Sequence, residues 1–367
     1  MKYISEFRNP ELARRAAAEI AALTDGPVRI MEICGGHTYV IFKHGLTEIL
    51  PPEITFIHGP GCPVCVTPLE RVDLAIEMAR EKNVILATFA DMIRVPGSRS
   101  SLQQEQARGA DVRMVYSSLD ALEIARRHPD REVVFFAIGF ETTAPTNAMA
   151  VLLAREQGLK NFSIFSNHVT VPPAVRAILD SPDVTLDAFI GPGHVSLVTG
   201  SHIYDFVAKE YGRPVVVAGF EPLDILQSIA MILRQRKEGR AEVETQYRRA
   251  VTWEGNRKAQ AAIGTVLESC DMRWRGLGVI PGSGLGLRKA FSDYDAMARL
   301  GMAEPPSLSD PKACQCGDIL RGAKKPADCK VFGTACTPET PIGACMVSSE
   351  GACAAHYHFG RHRREAV

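Results

Sequence analysis

Nowhere does the chain contain about 18 consecutive apolar residues, so nothing in it reads as a transmembrane helix. The opening stretch MKYISEFRNPELARRAAAEI carries acidic residues and no apolar core of signal-peptide length. An excess of either charge is also missing: 42 Lys and Arg stand against 42 Asp and Glu, a formal net charge of +0. That balance removes any electrostatic reason to expect nucleic acid or an anionic membrane surface as a partner. Low-complexity tracts and long linkers are absent as well. Together these absences lead us to expect a cytoplasmic protein. In that reducing compartment its ten cysteines are expected to be ligands or redox groups rather than structural staples.

What is present is enough chain for two or three domains, 367 residues with 46% hydrophobic and 23% charged. Two cysteine-bearing loops organise it, Cys34-Gly35-Gly36-His37-Thr38 and Gly59-Pro60-Gly61-Cys62-Pro63-Val64-Cys65. Each follows a short apolar run (28–33 and 54–57) and precedes an amphipathic stretch (39–50 and 67–82), the pattern of strand, tight turn and helix. If the two strands are parallel neighbours, Cys34, Cys62 and Cys65 share one rim of one sheet, where open α/β folds place their chemistry.

A helix over 11–23 ends at Asp25-Gly26-Pro27. Strands at 28–33, 54–57, 84–89 and 112–116 then alternate with helical patterns, and a second series at 133–138, 162–165, 188–190 and 215–218 does the same. The expected fold class is therefore α/β, with two parallel-sheet domains over 27–129 and 130–222. The remainder, 223–367 with 1–26, is expected to form a mostly helical, loop-rich third domain; 243–250 and 257–267 read as helical and 276–286 as Gly-rich. Gly59-Pro60-Gly61 is echoed at Gly191-Pro192-Gly193, and Gly139-Phe140-Glu141 at Gly219-Phe220-Glu221.

Cys62-Pro63-Val64-Cys65 at a helix start suits a redox dithiol, because the helix N-terminus favours the thiolate. Half of a zinc site, or simple packing, is the alternative. Cys34 adds a third thiol, with His37 beside it as a candidate acid, base or ligand, although His37, His58, His168 and His194 also fit as satisfied structural histidines. Three thiols leave a coordination position open. Glu141 is a candidate carboxylate for the cleft; a helix-capping role fits Glu141 and Glu221 as well. In the tail, Cys314, Cys316, Cys329, Cys336, Cys345 and Cys353 place six thiols within forty residues. Several subsets suit an iron-sulfur cluster, and zinc takes the same ligands. Cys270 falls on a helical pattern and reads as a small buried hydrophobe.

CGGHT at 34–38, GPGCPVC at 59–65, RVPGS at 94–98, GFETTAP at 139–145, PGHVS at 192–196, GFEPLDIL at 219–226 and CMVSSEGACAA at 345–355 resemble the HypD family of hydrogenase maturation proteins. The resemblance runs from about Val28 to the C-terminus. It implies a scaffold for assembling the Fe(CN)2CO group of [NiFe]-hydrogenases, a redox-active assembly platform rather than a turnover enzyme. By the same resemblance Cys34, Cys62 and Cys65 form the iron or redox site, with His37 and Glu141 as polar helpers, and Cys34 shares the iron with a cysteine of a HypC-type chaperone. HypE supplies cyanide made from carbamoyl phosphate via HypF, and the hydrogenase large subunit is the indirect destination. The family's C-x14-C-x6-C-x16-C pattern falls on Cys314, Cys329, Cys336 and Cys353 as ligands of a [4Fe-4S] cluster. Cys316 and Cys345 are then a relay pair toward Cys62 and Cys65. Tyr39 stands where the family commonly carries a second histidine, and Ala90 where it commonly carries glycine. A thiol–disulfide oxidoreductase driven by its own cluster, delivering no iron, is the alternative reading.

Overall fold

A computed structural model describes residues 5–182 and 184–360. Among the described residues eleven strands form two sheets. In the first, β1 (Val28–Glu32), β2 (Ile54–His58), β7 (Ala188–Pro192), β8 (Val215–Ala218) and β9 (Val243–Thr245) run in the order β2-β1-β7-β8-β9, all parallel. The second comprises β3 (Val84–Thr88), β4 (Val112–Met114), β5 (Glu132–Gly139), β6 (Phe162–Val169), β10 (Leu267–Trp274) and β11 (Gly278–Leu287), ordered β10-β11-β6-β5-β3-β4. Its β3 to β6 pairings are parallel, and the β10–β11 hairpin adds antiparallel to β6.

The α/β class holds, with two corrections. The second sheet is mixed rather than parallel. Divisions at 129 and 222 also do not follow the sheets, because the chain begins the first sheet, builds most of the second, returns to finish the first, and ends on the edge of the second. Strand pairing depends on contacts distant in sequence, so periodicity reveals each strand but not its partner. For the same reason the helical reading of 243–250 fails: Val243–Thr245 docks as an edge strand on β8. The stretch around Cys270 is strand as well, and that cysteine is half-buried on β10.

Helices Pro10–Leu23 and Pro222–Lys237 pack together over the first sheet, burying Ile20, Ile225 and Ile229 against Ile30 and Val216. Helices Ser118–Arg127, Ala144–Glu156 and Arg257–Val266 cover one face of the second sheet. Between the sheets runs a single larger apolar cluster containing Met31, Phe136, Phe165 and Phe189. It continues through Cys62 and Cys65 into Cys316, Cys345 and Met346, so the tail belongs to the same core as the sheets.

Candidate functional site

The site begins where β1 and β2 end side by side, in register from Val28 opposite Ile54 to Glu32 opposite His58. Past this edge Cys34 caps helix Gly35–Lys43, and Cys62 caps the one-turn helix Pro63–Val66. The two loops are tied together: the Gly35 N–H donates to the Gly61 carbonyl at 3.0 Å. A Cβ on Gly61 would lie 2.4 Å from the Cys34 nitrogen, so this close approach requires glycine.

Below Cys34 sits Glu32, whose carboxylate is buried at the end of β1. It accepts from the Thr38 hydroxyl, meets His58 Nδ1 at 2.6 Å and accepts from the Cys34 N–H at 3.4 Å. Burial raises the Glu32 pKa, and His58 and Thr38 oppose that rise. A buried carboxylate with these partners fixes the backbone of both cysteine loops. The Cys34 thiol is half-buried. Burial raises its pKa, and the nearby Glu350 raises it further, while the amides of Gly36 and His37 pull it down. A thiol of this kind stays protonated until a cation displaces the proton.

Cys62 and Cys65 form a disulfide, and Cys62 Sγ also accepts the Cys65 N–H at 3.2 Å. Both are buried in the inter-sheet core.

In the tail, Cys314, Cys329, Cys336 and Cys353 line one small cavity with Ile319, Val331, Phe332 and Met346 as its apolar walls. Burial, followed by Cys314, Cys336 and Cys329, raises the pKa of Cys353, so the other three thiols lie within electrostatic reach of it. A Cβ on Gly343 would come 2.4 Å from Cys314 Sγ, which leaves that thiol its place only if the residue is glycine. Among the described residues no group of three His, Cys, Asp or Glu is placed to hold one metal ion. Cys316 and Cys345 line the same cavity and form a second disulfide.

The tail rests on the rim at three places. Its turn Ala344–Met346, bearing Cys345, packs on the one-turn helix bearing Cys65, and helix Ala352–Ala355, bearing Cys353, packs on helix Gly35–Lys43. Glu350 lies so close that a Cβ on Gly35 would be 2.5 Å from Glu350 Cβ. Beyond β3, Arg94 donates to the Val347 carbonyl at 2.8 Å.

A family profile described as "HypD: Hydrogenase formation hypA family" matches residues 11–360. The chain belongs to the HypD family of hydrogenase maturation factors. Among its relatives, the hydrogenase maturation factor HypD of Rhodobacter capsulatus is 55% identical across 98% of both chains. That of Rhizobium leguminosarum bv. viciae is 55% identical over 100% of this chain and 97% of its own. The Escherichia coli K12 factor is 48% identical over the full length of both.

Within this HypD-family site the polar residues singled out from sequence separate. His37 is fully buried, its Nε2 3.3 Å from the Ala218 carbonyl and its ring stacked on Phe220. Burial lowers its pKa to about 4, and Nδ1 has no hydrogen-bond partner. His194 stacks on Phe220 too, at 3.9 Å. Glu141 accepts from the Val171 N–H at 3.1 Å, capping helix Val171–Leu179 rather than the helix that follows it in the chain. Burial moves its pKa to about 7. At the start of helix Pro222–Lys237 the Glu221 N–H donates to the Asp224 carboxylate at 3.1 Å, while the Glu221 carboxylate pairs with Arg8. His168 is a satisfied core residue between Asn147 (2.6 Å) and Ser166 (3.1 Å). Tyr39 packs edge-on against Phe359 of the tail. Sequence reading missed Glu32 and Glu350, the two carboxylates that reach the Cys34 thiol. For Glu32 the signal is a charge in an otherwise apolar strand, two residues before a cysteine.

Proposed function

We propose that this chain is the scaffold on which the Fe(CN)2CO group of [NiFe]-hydrogenases is assembled. In this reading Cys34 holds the iron cargo beside Cys62 and Cys65, and Cys314, Cys329, Cys336 and Cys353 hold a resident [4Fe-4S] cluster. The observation that carries it is the seating of the tail: one cysteine-bearing turn lies on the Cys65 helix and another cysteine-bearing helix on the Cys34 helix. The cage fits a cluster by its donor set, four soft thiols lining one apolar-walled cavity. When bound, such a cluster supplies single electrons next to Cys316 and Cys345.

The chain's own groups do the rest. Cys34 gives up its proton on binding the cation, and Glu32 and Glu350 set the negative field that iron enters. Thiol–disulfide exchange links the two cysteine pairs. A Cys316/Cys345 dithiol attacks the Cys62–Cys65 disulfide through a mixed disulfide, leaving Cys62 and Cys65 as thiols and Cys316–Cys345 oxidised, two electrons having moved. Partners are a HypC-type chaperone completing the iron's thiolate set, HypE as cyanide donor and, at the end of the path, the hydrogenase large subunit. Cytosolic disulfides are usually transient redox groups, which suits the Cys62–Cys65 and Cys316–Cys345 pairs of a cytoplasmic protein. Among the described residues no helix is long and apolar enough to cross a membrane.

Anaerobic co-purification with a HypC-type chaperone, followed by infrared spectroscopy, tests the proposal. Bands of iron-bound CO and cyanide are expected. Turnover of a free disulfide substrate without such bands would replace the scaffold with an oxidoreductase.

A further inference from the structure

Arg275 lies in the turn between β10 and β11, its side chain only 2% exposed. Its backbone N–H donates to the Val66 carbonyl at 2.8 Å, binding the turn to the helix of Cys65. The next residue, Gly276, has φ of 77° and sits so near Gly317 that a Cβ would lie 2.3 Å from the Gly317 Cα. Gly317 follows Cys316 in the short helix Cys316–Leu320, so one turn braces both redox pairs.

The guanidinium itself is under-satisfied. Asp310 approaches Nε at 3.3 Å, yet Nε and Nη2 have no hydrogen-bond partner. Arginine cannot shed its proton to escape burial, and an uncompensated buried cation is strongly destabilising. Burial lowers its pKa; Asp310, Cys314, Glu70 and Asp73, in that order, favour the charge. Of these, Glu70 is engaged with Arg273 at 3.1 Å and Asp73 with the Ser98 N–H at 2.8 Å. Cys314 is the group that becomes more anionic when the cage is filled.

We infer that Arg275 is the charge-compensating residue of the tail cage: its buried guanidinium offsets the negative charge of the four thiolates and raises the reduction potential of the group they hold. The inference rests on the cluster reading above. Hydrogen bonds and charges near the sulfurs set such potentials, so Arg275 and Asp310 act with opposite sign. Arg275 thereby sets the driving force available to the neighbouring Cys316–Cys345 pair.

The test is an anaerobic potentiometric titration of the full chain followed by electron paramagnetic resonance. Iron and acid-labile sulfide are measured first on the unaltered protein. If it takes up neither, the cage reading fails and the inference falls with it. With the cluster present, Arg275→Gln is expected to disfavour reduction at least tenfold, about 59 mV more negative for one electron. Arg275→Lys is expected to keep most of the unaltered potential, and Asp310→Asn to shift it positive. An unchanged potential in Arg275→Gln at normal iron and sulfide content, or a negative shift in Asp310→Asn, overturns the inference. If Arg275→Gln cannot retain the cluster, Asp310→Asn decides: a positive shift supports the assignment and no shift overturns it.

Discussion

The three-cysteine rim and the six-cysteine tail are built by opposite means. At the rim, two parallel strands in register deliver Cys34 and Cys62 to adjacent helix starts, and a buried carboxylate with a cross-loop hydrogen bond locks the loops. Its geometry belongs to the sheet. The tail has only short helical turns around its cavity, and glycines make room for thiols and backbone. Its shape is set by loops that converge on a space, so it depends on what fills that space, as small metal-organised domains do. On the proposed function this contrast has a use: a rim that receives and releases iron would keep its form between cycles, whereas a cage with a resident group would not need to.

The most drastic way to break this contrast is to remove the cage's contents. Cys353→Ser is expected to abolish bound iron and sulfide and open 314–360 to limited proteolysis, while the far-ultraviolet circular dichroism of the two sheets is largely kept. Equal protection of the tail with and without iron, seen on a gel, would make the regions alike.

Next in size is the rim's lock. Glu32→Ala leaves His58 and Thr38 without their common buried partner, and a buried polar group left unpaired costs about 1–3 kcal/mol. Urea unfolding is expected to show that loss with cluster content per folded molecule unchanged. A drop in cluster content would mean that rim and cage are not separately supported.

The smallest effect is on pH dependence. His37 and His168 have folded-state pKa values of about 4 because of burial, against 6.5 for an exposed histidine. Between those values the unfolded chain binds protons that the folded chain refuses, so stability is lost as the pH falls from about 6.5 to about 4. Glu141 acts with the opposite sign: its folded carboxyl keeps its proton up to about 7, against 4.5 unfolded, so stability is lost as the pH rises through that window. Thermal midpoints of Glu141→Gln relative to the unaltered protein are expected to climb between pH 4.5 and 7. A flat difference would remove Glu141 from the buried set.

Legibility in the sequence follows the same contrast. The rim can be read because Val28–Glu32 and Ile54–His58 are apolar runs that stop at glycine-rich turns, and a strand ending on Cys-Gly-Gly has few other structures open to it. The interleaved sheets cannot, since β2 and β3 look alike in pattern and only tertiary pairing sends them to different sheets. The β10–β11 hairpin is hidden by its glycines, which serve the close approach of Cys270 and Met272 to Gly284. In the tail the cysteine spacing is visible, but the position of Glu350 over Gly35 is not, because that contact joins residues more than 300 apart. For His37 the sequence shows a place on the first turn of the helix after Cys34, but not its contacts with Ala218 and Phe220, which come from the distant β8 edge.

Whether the proposed iron site at the rim and the proposed cluster cage are separate, with Cys34 serving only the rim, is decided by Cys34→Ala purified anaerobically with a HypC-type chaperone. Infrared spectra and acid-labile sulfide are recorded on the same sample. The account predicts that the CO and cyanide bands vanish while sulfide per chain stays at the unaltered level. Bands that persist, or sulfide that disappears with them, would contradict it.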